Sequence, residues 1–484
     1  LFTILESLNG ALDRIVDPAE RDRLFMLNLR GGIRAKSASA YHAAVGMLRA
    51  AESLLPTDAW HARPAEALEL FKHLAEAEYL SGDFASAEAR LASLIETAPE
   101  RAAKVTLCLT QAEQLNIQGR FETSFDVLCR ALALLGRTFP QSEAEAGAAF
   151  AAEFNEIDAL LQERDERGLL DQSEMHDPER LLEMQVYYGL AYATYQINRG
   201  VSYVLGACRM VRTTLEHGLC DLSCIGYVTY ATAMAAMGKS YPEVHAMGCM
   251  ARKLSEQRDN PYFRLSVYQY FAAFYQHWCD PLRDTLPYLE QGLSMGRAGI
   301  NPLAAGYCAL LRPVNSFVMG AALDDVELEA DQGLGFLRRS GQPITEAMLQ
   351  CGVILPVAAL RGRTLKPTAF DTPELRPGQL LNEDFQTPTI VLAFHSFAMT
   401  RHAYLFDAAD DWREASAKLA MIGRLLPDGP TLVEASFFRA LGLLKPGFVD
   451  PAARADAMQE ARSLRARFEG WARHCPANFL HKAL

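Results

Sequence analysis

The feature that most constrains this chain is a helix–turn–helix phrase written twice in succession. Leu74-Ala75 is followed by Gly82-Asp83-Phe84, then by Ala87, Leu91, Leu94 and Pro99. The large–small pair on the first helix lets a neighbour approach closely. Gly82 supplies the left-handed residue that ends that helix in a tight turn. Phe84 packs across the turn, Ala87 is small where the second helix crosses the first, and Pro99 cannot prolong the helix. Gly119-Arg120-Phe121 repeats the turn, with Leu128 and Ala131 on the next helix and Pro140 closing it. The step from Gly82 to Gly119 is slightly longer than the roughly 34 residues of a tetratricopeptide unit.

Looser copies run along the rest of the chain. Leu24–Arg34 pairs with Ala40–Leu55, Leu181–Ile197 with Tyr203–Glu216, and Ile225–Met237 with Pro242–Gln257. Tyr262–His277 pairs with Leu282–Arg297, and Leu303–Met319 with Val326–Arg339. Three- and four-residue steps such as Leu181, Met184, Tyr188, Tyr192 and Tyr195 carry the helical period, and sustained alternation of the strand type is almost absent. The expectation is an all-α chain, an α-α superhelix of tetratricopeptide-like type. Residues 1–140 form N-terminal pairs, 141–361 central aromatic-rich repeats, 362–388 a Pro-rich loop, and 389–484 C-terminal repeats that stop inside a repeat. The loop assignment rests on Pro367, Pro373, Pro377, Gly378 and Pro388. The charged patch Glu163–Arg167 reads as a solvated helix face. Helices resume over Thr389–Phe406, Trp412–Leu425, Leu432–Leu444 and Ala452–Cys475.

A repeat architecture also suits the length, because 484 residues exceed the roughly 250–300 at which single cores stop growing. The formal net charge of −12 argues against nucleic acid and anionic lipid, which both demand clustered Lys and Arg. Leu1 opens no charged, apolar leader, and the apolar stretch Ala347–Leu360 holds Gln350 and Pro356 and is short for a span. No membrane insertion is expected. Ten cysteines are scattered without a C-x-x-C pair and read as small buried hydrophobes of a reducing cytoplasm. Cys220 and Cys224 share a helical spacing, but no second ligand pair follows, so no metal is expected.

A search for chemistry returns little. Ala233-x4-Gly238-Lys239-Ser240 approximates a phosphate loop, but Ala replaces the first Gly and helix surrounds it, so it reads as an inter-helix turn. His395 and His402 lie seven apart without a third metal ligand. Asp324-Asp325 and Asp410-Asp411 fall at turns, where Asp caps helices. No catalytic residue and no cofactor are expected. Aromatics concentrate in the middle: Tyr187, Tyr188, Tyr192 and Tyr195, then Tyr227 and Tyr230, then a cluster from Tyr262 to Trp278. Val267, Phe271, Phe274 and Trp278 have core spacing. Tyr268 and Tyr275 would face elsewhere and could line a groove. A partner is therefore expected on the concave face of Leu181–Arg297, contacting Tyr188, Tyr192, Tyr195, Tyr230, Tyr268 and Tyr275.

Several runs also resemble the helical middle region of large multidomain signalling ATPases. They are Leu27-Asn28-Leu29 with Ala35-Lys36, Ala40-Tyr41, Leu54-Leu55 and Trp60, then Ala75–Gly82 and Ala131–Gly136 with Pro140. Near the end, Trp471-Ala472-Arg473-His474-Cys475-Pro476-Ala477-Asn478-Phe479 resembles that region's "W-A…P-x-N-F" box. The resemblance covers most of the chain. It implies a serine/threonine-kinase-like module and a nucleotide-binding ATPase module before this segment, with GAF and histidine-kinase modules after it. The segment itself would be a non-enzymatic regulatory scaffold. Its partner would be a flanking module or a peptide segment. The alternatives are a small-molecule sensor with an enclosed pocket in the central repeats, and an enzyme, for which the sequence offers no convergent titratable groups.

Overall fold

The computed structural model describes residues 2–372, 389–422 and 429–484. Pro373, Pro377, Gly378 and Pro388 of the expected loop, and Leu425, lie outside the described residues. The fold is all-α. Among the described residues the sole strand-like feature is one isolated bridge, Glu174–Leu219. The chain divides into two compact units, residues 1–164 with 172–222 and residues 165–171 with 223–484. The division falls inside the stretch expected as one central block, at 222 rather than at 140 or 361.

Unit 1 stacks helix pairs. Pro18–Ser37 packs with Tyr41–Leu54, Pro64–Leu80 with Phe84–Thr97, Arg101–Ile117 with Phe121–Leu134, and Pro178–Gln196 with Gly200–His217. Glu143–Gln162 packs against the last of these. The turn grammar is physical. Gly82 sits at φ +92 and Gly119 at φ +73, and the next N–H bonds the carbonyl five residues back, Asp83 to Glu78 at 3.0 Å and Arg120 to Leu115 at 2.9 Å. Asp83 then caps the following helix by accepting from Ser86 N–H. Tyr79 and Phe84 meet across the turn at 4.9 Å between centroids. Ala87 and Ala131 are fully buried at the crossings.

The same turn closes other pairs. Ser39, Asn198 and Asp407 take it at φ 59, 58 and 59 without being glycine, and Gly238, Gly320 and Gly362 take it in unit 2. Asn and Asp tolerate the left-handed region through local side-chain bonding, which is how the turn persists where the glycine signal fades. Unit 1 also buries an ion network. Fully buried Glu78 accepts from Arg90 Nε at 2.8 Å and Arg49 Nη2 at 2.9 Å, which ties three helices together. Two paired cations offset the desolvation of one carboxylate, so removing either leaves a charge stranded.

Unit 2 pairs Ser223–Ala236 with Tyr241–Gln257, then Leu286–Arg297 with Pro302–Val318 and Leu323–Arg339. It continues through Thr389–Leu405 with Ala409–Ile422, Pro430–Leu444, Arg454–Ala472 and Pro476–Ala483. Two of its helices change winding midway. Pro261–Tyr270 passes into a π-helical turn at Phe271–Tyr275 and a 3-10 turn at Gln276–Trp278. Pro343–Leu349 passes into a π-helical turn at Gln350–Ile354 before Leu355–Leu360. The continuous stretch Pro343–Leu360 is long and apolar enough, by composition, to cross a bilayer, longer than the sequence suggested. More than half of it is buried among its neighbours, with Leu349, Cys351 and Val353 inaccessible.

Candidate functional site

The structure distributes the expected tyrosines over both units. In unit 1, Tyr188 and Tyr192 are partly buried and Tyr192 lies 6.2 Å from Phe121. Tyr195 is 51% exposed beside Tyr203, at 5.6 Å. In unit 2, Tyr230 is fully buried. Tyr268 is 3% exposed, and its hydroxyl donates to Glu256 Oε1 at 3.2 Å. Tyr275 is 2% exposed, 2.6 Å from Thr232 Oγ1. Burial pushes the Tyr268 phenol up to about 12, with nearby Glu256 adding to the effect.

Tyr230, Tyr268 and Tyr275 are thus core residues and do not line an open groove. The cause is the π turn at Phe271–Tyr275. One extra residue per turn rotates the helix phase, so both the Phe271–Trp278 stripe and the tyrosines beside it turn inward. Phe274, assigned to the core stripe, is the partly exposed one.

The other candidate residues have structural duties. Gly238 sits at φ +76 in the turn, Lys239 lies 3.9 Å from Glu243, and Ser240 forms a capping box with Glu243. His402 is buried with its ring nitrogens 2.9 Å from the carbonyls of Ala398 and Pro356, and burial lowers it to about 4. Burial likewise lowers His395 to about 4, and Phe370 packs against both rings. The paired aspartates stand in the first turn of their helices rather than at the cap, which is Ala322 for Asp324-Asp325. There they face the positive helix end, and Arg361 and Arg413 pair with Asp324 and Asp410. Cys220 and Cys224 are buried, and no three potential metal ligands cluster among the described residues.

What the sequence did not foresee is a cleft built by the C-terminal box. Trp471 and Phe479 pack on Trp278 at 5.3 and 5.6 Å, and Tyr241 lies 4.0 Å from the same indole. Asn478 locks the arrangement. Its Oδ1 accepts from Leu282 N–H at 2.9 Å, and its Nδ2 donates to the carbonyls of His277 at 2.7 Å and Asp280 at 2.9 Å. One amide thereby satisfies three backbone groups of the irregular turn that follows the π segment. Beside this clamp opens a cleft of about 350 Å³. Val318, Met319, Val433 and Phe479 form its apolar wall, and Arg283, His481 and Lys482 its basic rim. Lys482 Nζ pairs with Glu434 at 2.5 Å.

A second, smaller hollow shares Val318 and borders the same first turn of Pro430–Leu444, between Phe317, Gly352 and Arg401. Each π turn therefore lies at one hollow: the first leads into His277, and the second carries Gly352. A signal was present in the sequence, in the Trp471–Phe479 box and Trp278. Nothing in the spacing said that they meet.

No family model matches the chain, and no curated protein matches it. Among solved structures, a similar chain occurs in the structure of Naa15/Naa10 bound to HypK-THB. The two are 15% identical over 92% of this chain and 77% of that one, with a TM-score of 0.23. Agreement at that level carries no argument, so the architecture described here stands on the chain's own geometry.

Proposed function

We propose that the chain is a non-catalytic regulatory scaffold. It would bind a partner in the cleft of unit 2 and pass its occupancy to flanking modules of a larger cytoplasmic signal-transduction ATPase or kinase. The observation that carries the reading is the Asn478 clamp. It fixes the last helix against an irregular turn and leaves a concave, mostly apolar hollow with a basic rim beside it. Pockets of this kind, apolar with a few placed polar groups, are the common form of a binding site. The π turns support it, since such bulges concentrate at functional sites. The kinase and ATPase context rests on the resemblance of the Trp471–Phe479 box and its companion runs. Ten unpaired thiols support the reducing compartment.

The second reading, a small-molecule sensor, is favoured by one observation. The cleft volume lies at the low end of the range for small-ligand pockets. Hydrogen exchange on the chain, alone and with the kinase-like and ATPase modules expected beside it, tests the scaffold. New protection over 277–285, 430–434 and 476–482 is expected. Protection confined to other segments, or none at all, overturns the proposal.

A further inference from the structure

Arg401 is the one feature of unit 2 that the fold does not explain. Its guanidinium lies 3.8 Å from the centroid of Phe317 and lines the smaller hollow. Its Nε is buried without a hydrogen-bond partner. Among the described residues no carboxylate lies within ion-pair distance of it. The nearest candidate, Glu434, is taken by Lys482 at 2.5 Å. Burial lowers the Arg401 guanidinium to about 10, and the field of Glu434 only partly opposes this. A buried, unpaired cation costs folding energy, and proteins keep such a group where something else completes it.

We propose that the unit 2 cleft binds a carboxylate on a short apolar stem, with Arg401 receiving the carboxylate and the apolar wall of Val318, Met319 and Val433 holding the stem. This rests on the reading of the cleft as a binding site. Three observations select the chemistry. First, Lys482 and Glu434 already neutralise each other, so Arg401 leaves one positive charge to be balanced, which a monoanion does. Second, the hollow beside Arg401 is about 20 Å³, the scale of a single water, and a tetrahedral dianion is too large for it. Third, a planar guanidinium presents parallel N–H groups that match a carboxylate. Gly429 adds to this by leaving the first turn of Pro430–Leu444 without a capping side chain, and Thr431 of that turn lines the same hollow. The carboxylate could belong to a free acid or to a Glu side chain of a protein segment.

The test is calorimetric titration of the full chain with straight-chain alkanoates from acetate to octanoate. An N-acetylated Glu peptide amide forms the second arm and inorganic phosphate the control. Affinity should tighten about fourfold per methylene until the cleft is full, the equivalent of burying one CH₂. Arg401→Met should weaken binding tenfold or more and melt no lower than the parent. Arg401→Lys should retain part of the affinity. Whichever arm binds names the source of the carboxylate. Failure of both arms, preference for phosphate, or unchanged affinity in Arg401→Met overturns the proposal. A lower melting temperature for Arg401→Met, with no ligand bound by the parent, makes Arg401 a structural partner of Glu434 through a trapped water. If alkanoates bind while flanking modules protect nothing, the scaffold reading fails and the carboxylate site stands.

Discussion

Replacing Asn478 with Ala removes three hydrogen bonds at once. Oδ1 no longer accepts from Leu282 N–H, and Nδ2 no longer reaches the carbonyls of His277 and Asp280. Each bond contributes about 1 kcal/mol net, and an orphaned buried partner costs more. The adjoining cleft can admit water to some of the freed groups, which limits the penalty. The expected loss is about 2–4 kcal/mol, a melting shift on the order of 10 °C for a unit of this size. Asn478→Asp sharpens the test. One carboxylate oxygen can still accept from Leu282, but the other would face two carbonyl oxygens where Nδ2 donated, so this variant should be less stable than the alanine one. Urea denaturation followed by tryptophan fluorescence suits the question, since Trp278 and Trp471 both pack in the clamp's aromatic cluster. If Asn478→Ala lies within about 0.5 kcal/mol of the parent, or Asn478→Asp equals it, the clamp is not what holds the last helix.

Three further outcomes follow from the structure. Ala87→Leu should overpack the fully buried crossing and cost about 1–3 kcal/mol; an unchanged melting temperature would show that the crossing tolerates bulk. Titration with Mg-ATP should be silent, because Gly238-Lys239-Ser240 is a turn and capping box rather than a phosphate cradle; an isotherm abolished by Lys239→Ala would refute this. Glu76 is held at about 2, burial opposing its charge but hydrogen bonds from His73 and Lys36 outweighing that. Its folded value lies below its unfolded one, so the stability it confers is complete above about pH 4.5 and is lost as pH falls towards 2. That amounts to at most about 3 kcal/mol. Glu76→Gln should flatten acid unfolding over that window, and an unaltered acid limb would deny the coupling.

The helix pairs were legible because their signals are local. Gly82 and Gly119 announce left-handed turns, and proline and apolar period mark the helices between. Ser39, Asn198 and Asp407 adopt the same turn with no glycine to announce it, and they were missed. The aromatic face was misread for a different reason. A period of 3.6 carried through Phe271–Tyr275 puts Tyr268 and Tyr275 on a separate face, whereas the π turn there resets the phase. Conventional helix spacing gives no warning of such a reset. The cleft was invisible because it joins Pro281, Val318, Pro430 and Phe479, and only tertiary packing brings such distant positions together. Of its parts, the sequence offered the Trp471–Phe479 box alone, as a resemblance without a role.

The Asn478 bonds span 196 to 201 residues of chain in a fold otherwise stitched by neighbours. That separation gives the protein a clock during its own synthesis. The aromatic turn around Trp278 leaves the ribosome long before the residues that cover it. At about 5–20 residues per second, its partner arrives about 10–40 seconds later. For that interval an indole and the open backbone groups of Leu282, His277 and Asp280 stand unshielded, within reach of chaperones and of the same turn on a neighbouring nascent chain. Codon usage that slows translation between residues 282 and 478 would lengthen the exposure without altering the finished molecule.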